Sequence, residues 1–315
     1  MTADILPSPN VRVRHGRQFH DTNSNYGLPN DEGEHARLNH QHEAMKIMLG
    51  SNYTAPLPEL NAGTGPRRIL DIASGSGQWI LEIAKEFPKA EVIGIDLSDP
   101  GLSQSEIPNN SRFVIGDITK PLPFKKASFD VVQMRVVPSV QEREAIYKEI
   151  HRVLQPGGLI LLVEPGENAS SIGLDPPVMT ESIKAISSIG HIEASRAPAA
   201  PTSSKGSWSI ATRIATDLRN SPSMWTNINE KRLVIPIGVW TDDVAGQNAG
   251  KLLQHCTTEL IKGFRPSLID EGVLSGDQVD DMVIRLSKEL EDGKKWKLES
   301  PYHFVWAEKS QKSAL

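Results

Sequence analysis

The feature that most limits what this chain can become starts at Arg67, where short apolar runs rich in valine and isoleucine begin to alternate with helical stretches. Runs that are apolar throughout mark strands buried on both faces, and strands separated by helices must run parallel. The pattern predicts strands at Arg68–Ile72, Val92–Ile95, Phe113–Ile115, Phe129–Met134 and Leu159–Val163. A helix with Ile80, Ala84 and Phe87 on one face follows the first strand. Another, from about Val140 to Leu154, stops sharply at Pro156-Gly157-Gly158. Right-handed crossovers between such units give a doubly wound α/β sheet.

The flanks read differently. Residues 1–25 lack periodicity and read as a tail or wrapping arm, with the basic group Arg12, Arg14, His15 and Arg17 solvated. Asp31 and Glu34 have capping-box spacing. Leu38, Met45, Met48 and Leu49 then give one apolar face, and Gly50 can end the helix. Residues 51–66 read as a linker. Beyond Glu164 the sequence predicts helices over 177–190, 208–228, 244–265 and 276–292, a turn-rich stretch at 194–207, and strands at Leu233–Val239 and Tyr302–Ala307. The expected organisation is one globular domain in four parts. These are an N-terminal arm and lid helix (1–66), a cofactor-binding core (67–165), a cap (166–240) and C-terminal helices with the last strand (241–315).

Chemistry concentrates where the first strand ends. Asp71 precedes Ala73-Ser74-Gly75-Ser76-Gly77, and Asp96 closes the second strand about 20 residues later. A strand passing into a Gly-rich turn brings backbone N–H groups and a helix N-terminus up to a ligand. A carboxylate at the end of the next strand can accept from both hydroxyls of a ribose. A dinucleotide fingerprint needs a further glycine at position 80, which here is Ile80. Asp71 would also repel a pyrophosphate, which disfavours a nicotinamide dehydrogenase. An acid there suits a cationic end, such as the amino group of a methionine moiety.

These residues resemble the class I S-adenosylmethionine-dependent methyltransferases, whose first motif runs acid-x-Gly-x-Gly-x-Gly. Asp71, Gly75 and Gly77 match; Ala73 replaces the first glycine, a departure that matters if position 73 needs positive φ. The resemblance covers roughly residues 67–165 and includes the turn from Arg152 to Gly158. It implies a Rossmann-like, mostly parallel seven-stranded sheet with an N-terminal helical arm and a helical cap insertion. It implies S-adenosyl-L-methionine as cofactor, held by Asp71, Ala73, Ser74, Gly75, Gly77, Asp96 and Leu97. Asp117 would accept from the adenine amino group and Ile118 pack on the ring, while Met134 and Arg135 would face cofactor or acceptor. A narrower segment, Tyr26 to His42, is similar to the Tyr-x-Leu-Pro-x-Asp…Glu-x-x-Arg-Leu…Gln-His stretch of fungal LaeA and UMTA-like methyltransferases, a group linked to secondary metabolism. That similarity implies an arm closing over the pocket. Tyr26 would lie near the sulfonium and Arg37 would pair with the methionine carboxylate. The alternatives are ordinary packing for Tyr26 and an intrahelical Glu34 partner for Arg37.

Methyl transfer is an in-line displacement at an activated carbon, so the protein mainly orients the partners and excludes water. A base is needed only where the acceptor must lose a proton. His20, His40 and His42 lie near the lid; His40 and His42 are the catalytic candidates, although two residues apart on a helix they point to different faces. A solvent-facing or capping role is their alternative. Ligands sit outside the carboxyl ends of parallel strands, so the acceptor is expected against the region after the fifth strand. Trp208, Met224, Trp225 and Trp240 are either its apolar wall or a helix-packing stripe. The functional expectation is methyl transfer to an O, N or S atom of a small secondary metabolite. The alternative is a LaeA-like nuclear regulatory protein acting through protein partners.

A net charge of −5 argues against a nucleic-acid partner. No run approaches the roughly 18 apolar residues that span a bilayer, and the first ten residues lack a secretory pattern. The single cysteine, Cys256, rules out an internal disulfide and a thiolate metal cage. The expectation is a metal-free cytoplasmic protein, nuclear in the regulatory reading.

Overall fold

The computed structural model describes residues 11–21, 26–137, 140, 143–196 and 210–311. Trp208, and the turn-rich stretch from residue 197 onward, lie outside the described residues.

Where the sequence suggests a tail, the chain forms an antiparallel hairpin, β1 (Val11–Arg14) and β2 (Arg17–His20). Three of its basic residues find acidic partners. Arg14 and His15 meet Asp270 at 2.5 and 2.7 Å, and Arg17 clamps both oxygens of Asp31 at 2.6 and 2.7 Å. Asp31 also caps α1 (Glu32–Leu49), accepting from the Glu34 N–H at 3.1 Å, and Gly50 ends the helix at φ 73°. Only half of the capping box forms, because the Glu34 carboxylate turns to Arg37 instead. The linker then makes one 3-10 turn (Leu57–Glu59) and a short turn, α2 (Leu60–Gly63).

The core follows the predicted rhythm: β3 (Arg68–Ile72), α3 (Gln78–Glu86), β4 (Glu91–Asp96), β5 (Ser111–Ile115), β6 (Phe129–Arg135), α4 (Arg143–Val153) and β7 (Leu154–Pro165). After it come β8 (Ala169–Ser170), α5 (Pro177–Arg196), α6 (Ile214–Arg219), β9 (Trp225–Ile237), α7 (Val244–Asp270), α8 (Gly276–Glu291), α9 (Gly293–Trp296) and β10 (Leu298–Lys309). Strands β5-β4-β3-β6-β7 are parallel, and β10 joins β7 antiparallel. β9 pairs with β10, while two-residue β8 also pairs with β10. The sheet therefore counts eight strands, of which seven are long.

The helix expected over 208–228 shrinks to the six residues of α6. Trp225 instead opens β9, because pairing with β10 from Trp225–Lys309 to Ile237–Leu298, broken only by a bulge at Asn227 and Ile228, gives that segment's backbone a partner.

Strand alternation sorts side chains onto the two faces of the sheet. Ile69, Val131 and Leu161 pack under Trp79, Ile80 and Ile83 of α3. Leu70, Ile72, Ile95, Val132 and Met134 pack on the other face against Ile146 and Ile150 of α4 and Leu218 of α6. A third cluster joins α1, α5, α7 and α8 to β9 and β10 through Met45, Ile235, Leu253, Met282 and Phe304. Among the described residues no helix is long and apolar enough to cross a membrane.

Candidate cofactor site

The turn after β3 departs from ordinary backbone at three positions: Ala73 (φ 56°), Gly75 (φ 55°) and Gly77 (φ 75°). Position 73 thus uses the left-handed region that the glycine motif anticipates, and an alanine occupies it. Gly77 has a second constraint, since a Cβ there would lie 2.6 Å from the Phe113 ring. The turn is fastened to β4 from two sides. Ser74 N–H donates to the Ile95 carbonyl at 3.2 Å, and Gly75 N–H donates to Asp96 Oδ2 at 2.8 Å. Asp96 Oδ1 accepts from Ser98 N–H at 3.3 Å. Burial nevertheless holds the Asp96 carboxyl above its ordinary range, against those backbone donors.

Asp71 lies beside Gln133 in the β3–β6 register, and Gln133 Nε2 donates to its Oδ1 at 3.3 Å. Burial pushes the Asp71 carboxyl up to about 7, with Arg135 and Gln133 pulling the other way. Asp117 Oδ1 accepts from the Thr119 N–H and hydroxyl at 2.8 and 2.7 Å, a turn that leaves Ile118 buried beside it.

These groups share one cleft, which the fold closes with β2, the Tyr26–Asn30 segment and α1. Of the anticipated residues, Tyr26, Asp71, Ala73, Ser74, Gly75, Asp96, Leu97, Asp117, Ile118 and Arg135 line it. Five do not. Met134 is fully buried in the α4-side cluster, because Gln133 and Arg135 take the cleft face of β6 and the intervening residue must point the other way. Gly77 acts one step back, as the N-cap of α3. Arg37 takes the alternative reading: its guanidinium is buried and forked onto Glu34 at 2.9 and 2.6 Å. His40 stands edge-on to His255 at 5.0 Å between centroids. His42 is 2% exposed, between Arg135 and Glu82. On that geometry neither imidazole reaches the cleft as a base. His20 does line it, on the side of Asp96 and Asp117, which act on it, and its Nε2–H donates to the Tyr26 carbonyl at 3.3 Å.

The aromatic wall expected after the fifth strand is absent among the described residues. Trp225 is 2% exposed and edge-on to His151, Met224 packs on the same cluster, and Trp240 Nε1 donates to the Leu298 carbonyl at 3.0 Å. The expected lid helix covers the cleft with Glu34, Leu38, Gln41 and Met45; the sequence did not point to Glu34 and Gln41 in that stripe, nor to the run Val136, Val137 and Val140 after β6. The stripe has the 4-3-4 spacing of a single helical face, and that signal could have found it.

Residues 69–158 match the methyltransferase-domain family. Methyltransferase str2 of Strobilurus tenacellus is 33% identical over 151 residues, covering 48% of this chain and 52% of that protein. Secondary metabolism regulator laeA of Coprinopsis cinerea is 33% identical over 166 residues, 51% of this chain and 41% of that protein. Methyltransferase pytC of Aspergillus terreus is 28% identical over 271 residues, 82% of this chain and 75% of that protein. The chain spans about half the length of the first two of these relatives. The Asp71–Gly75–Asp96 constellation lies inside the segment that matches the methyltransferase-domain family, in a chain that resembles fungal methyltransferases and LaeA-like proteins.

Proposed function

We propose that this chain transfers a methyl group from S-adenosylmethionine to an O, N or S atom of a small molecule, with secondary metabolites as the acceptor class. The observation that carries the reading is the pair of acids flanking the turn. Asp71 is a buried carboxyl aimed along the cleft face of the sheet, and Asp96 is a half-buried carboxyl tied to the turn through Gly75 N–H. An adenosine with a cationic tail fits this wall. Ser74 Oγ is buried there without a hydrogen-bond partner, an acceptor or donor that a polar ligand would satisfy.

When bound, the cofactor supplies an electrophilic methyl on a sulfonium. Asp71 would take the amino group, Asp96 the ribose hydroxyls, and Asp117 with Ile118 the adenine. Tyr26 would offer its ring to the positive end, where cation–π attraction contributes roughly 0.5–2 kcal/mol. The α1 stripe and Tyr26 exclude water from that end, and the valine run after β6 gives an apolar approach for the acceptor. A cytoplasmic setting and freedom from nucleic-acid partners remain part of this reading.

Calorimetry with S-adenosylhomocysteine tests it. Asp96→Ala is expected to weaken binding by about 1–3 kcal/mol, from loss of charge-assisted hydrogen bonds. An unchanged dissociation constant removes Asp96 from the site, and tight binding of NAD instead overturns the cofactor assignment. A second reading, a regulator acting through protein partners, is favoured by the 33% identity to a protein named as a secondary metabolism regulator. Labelled cofactor incubated with a metabolite extract separates the two. A labelled small product supports the enzyme; no turnover, with a stable protein complex recovered, supports the regulator.

A further inference from the structure

A connected group of polar side chains lies behind the cleft wall and has no part in the reading above. Arg135 Nη1 and His42 Nδ1 are 2.8 Å apart, and His42 Nε2 lies 3.3 Å from Glu82 Oε2. Glu82 is in turn held by Lys46 Nζ at 2.9 Å and by Gln78 Nε2 at 3.0 Å.

A guanidinium has five N–H donors and no acceptor, so Arg135 must be the donor in this contact. The Nδ1 of His42 therefore carries a lone pair, and the ring proton sits on Nε2, facing the Glu82 carboxylate. One tautomer satisfies both neighbours. A second proton, on Nδ1, would face the Arg135 charge inside a buried site. The groups acting on His42 are Glu82 on α3, Arg135 on β6 and Lys46 on its own helix; burial, the largest influence, and Arg135 both favour the neutral ring. A ring held neutral, hydrogen-bonded at Nδ1 and with Nε2 in ion-pair range of Glu82, is a poor proton acceptor for a substrate and a good fixed bracket for an arginine.

We infer that His42 is a positioning residue: through its Nδ1 it holds Arg135 on the cleft face of β6, the face that carries Gln133 beside Asp71, and so keeps a positive charge next to the carboxylate that meets the cofactor. The inference rests on the reading that Asp71 takes the cofactor's amino group. Asp71 has Arg135 on β6 and Asp96 on β4 as its charged neighbours, and Arg135 has Asp71, Glu82 and Tyr302. Burial raises Asp71 to about 7, and Arg135 acts against that rise. If the guanidinium drifts, Asp71 stays protonated to higher pH and the cofactor's ammonium loses its ionic partner near neutrality. Binding would then recover in more alkaline solution, where Asp71 ionises again.

Calorimetric titration of S-adenosylhomocysteine from about pH 6 to about pH 9 reads this directly. Wild-type affinity is expected to fall as the pH drops through about 7. In His42→Leu the fall moves up by about one pH unit, and binding at pH 7 weakens about fivefold. In His42→Asn the side-chain oxygen replaces Nδ1 as acceptor and returns the profile towards wild type, which a purely structural role for His42 would not require. A His42→Leu profile identical to wild type, or no recovery in a folded His42→Asn protein, overturns the inference. Nitrogen NMR of the ligand-free protein gives an independent measurement: an Nε2–H tautomer supports the bracket, and an Nδ1–H or charged ring near neutral pH overturns it. Failure of the wild type to bind S-adenosylhomocysteine would instead fell the cofactor reading, while the tautomer still decides how Arg135 is held.

Discussion

Ala73 adopts φ 56° at the head of the Gly-rich turn, and Val136 adopts φ 55° just past the end of β6. Both line the cleft. A left-handed backbone costs an L-residue roughly 1–2 kcal/mol, and a β-branched residue there is a marked outlier. Val136 is held by its N–H donating to the Val163 carbonyl at 2.7 Å, and Ser74, next to Ala73, by the bond to Ile95. Strain fixed by surrounding structure is a mark of sites that must be preorganised. Ala73→Gly relieves the strain but loosens the unfolded chain, so a net stabilisation of about 0.5–1 kcal/mol is expected from denaturant melts. No gain would mean that the turn relaxes in solution. At Asp71 the sign runs through ionisation. The folded carboxyl sits near 7, above its unfolded value, so burying it ionised costs stability that accumulates as pH rises towards 7 and is absent at low pH. Asp71→Asn is therefore expected to stabilise the ligand-free protein at pH 8 by on the order of 2 kcal/mol, to leave it unchanged near pH 4, and to weaken S-adenosylhomocysteine binding. Thermal melts at the two pH values check the first two outcomes.

Between elements, a few polar contacts decide how the cleft is walled. Asp31 caps α1 and takes the Arg17 fork, so one side chain joins the hairpin to the helix that covers the cofactor. Asp31→Ala should cost about 1–2 kcal/mol from the lost cap alone, and hydrogen exchange should rise in β1 and β2. Unchanged exchange there would show that the Asp270 contacts suffice to hold the hairpin. On the opposite side, Glu164 at the end of β7 is 1% exposed and binds Arg143 Nη2 at 2.7 Å, while its Oε1 also accepts from Val137 N–H at 3.2 Å. Arg143 Nη2 donates to the Val137 carbonyl as well. This buried pair fixes the start of the valine run that approaches the cleft. Removing one member strands the other charge, so Glu164→Ala is expected to destabilise by about 3–5 kcal/mol in urea melts. A loss below about 1 kcal/mol would mean that Arg143 finds water.

Across the whole molecule, ligand and fold are linked: at a hundredfold excess over its dissociation constant, S-adenosylhomocysteine should add about 2.7 kcal/mol to stability. The repeating strands, the turn and its two acids were legible because they are local. Arg68–Ile72 is bounded as the spacing predicts, and Gly75 and Asp96 meet because parallel neighbours bring successive strand ends to one edge. The strand-end side chains were half legible. Alternation settles that Gln133 and Arg135 share a face opposite Met134, but which face holds the cofactor depends on where α1 packs. The hairpin was hidden because its residues are largely polar and its turn end is held by Asp270, more than 250 positions away. The Trp225 strand was hidden for a similar reason, since its backbone needs β10. Sequence by itself thus determined the parallel core and the acids at its edge, whose partners come from neighbouring strands. Only the tertiary structure decided that Glu34 claims Arg37 and that His42 braces Arg135, because side-chain pairing is settled by which donors and acceptors burial forces together.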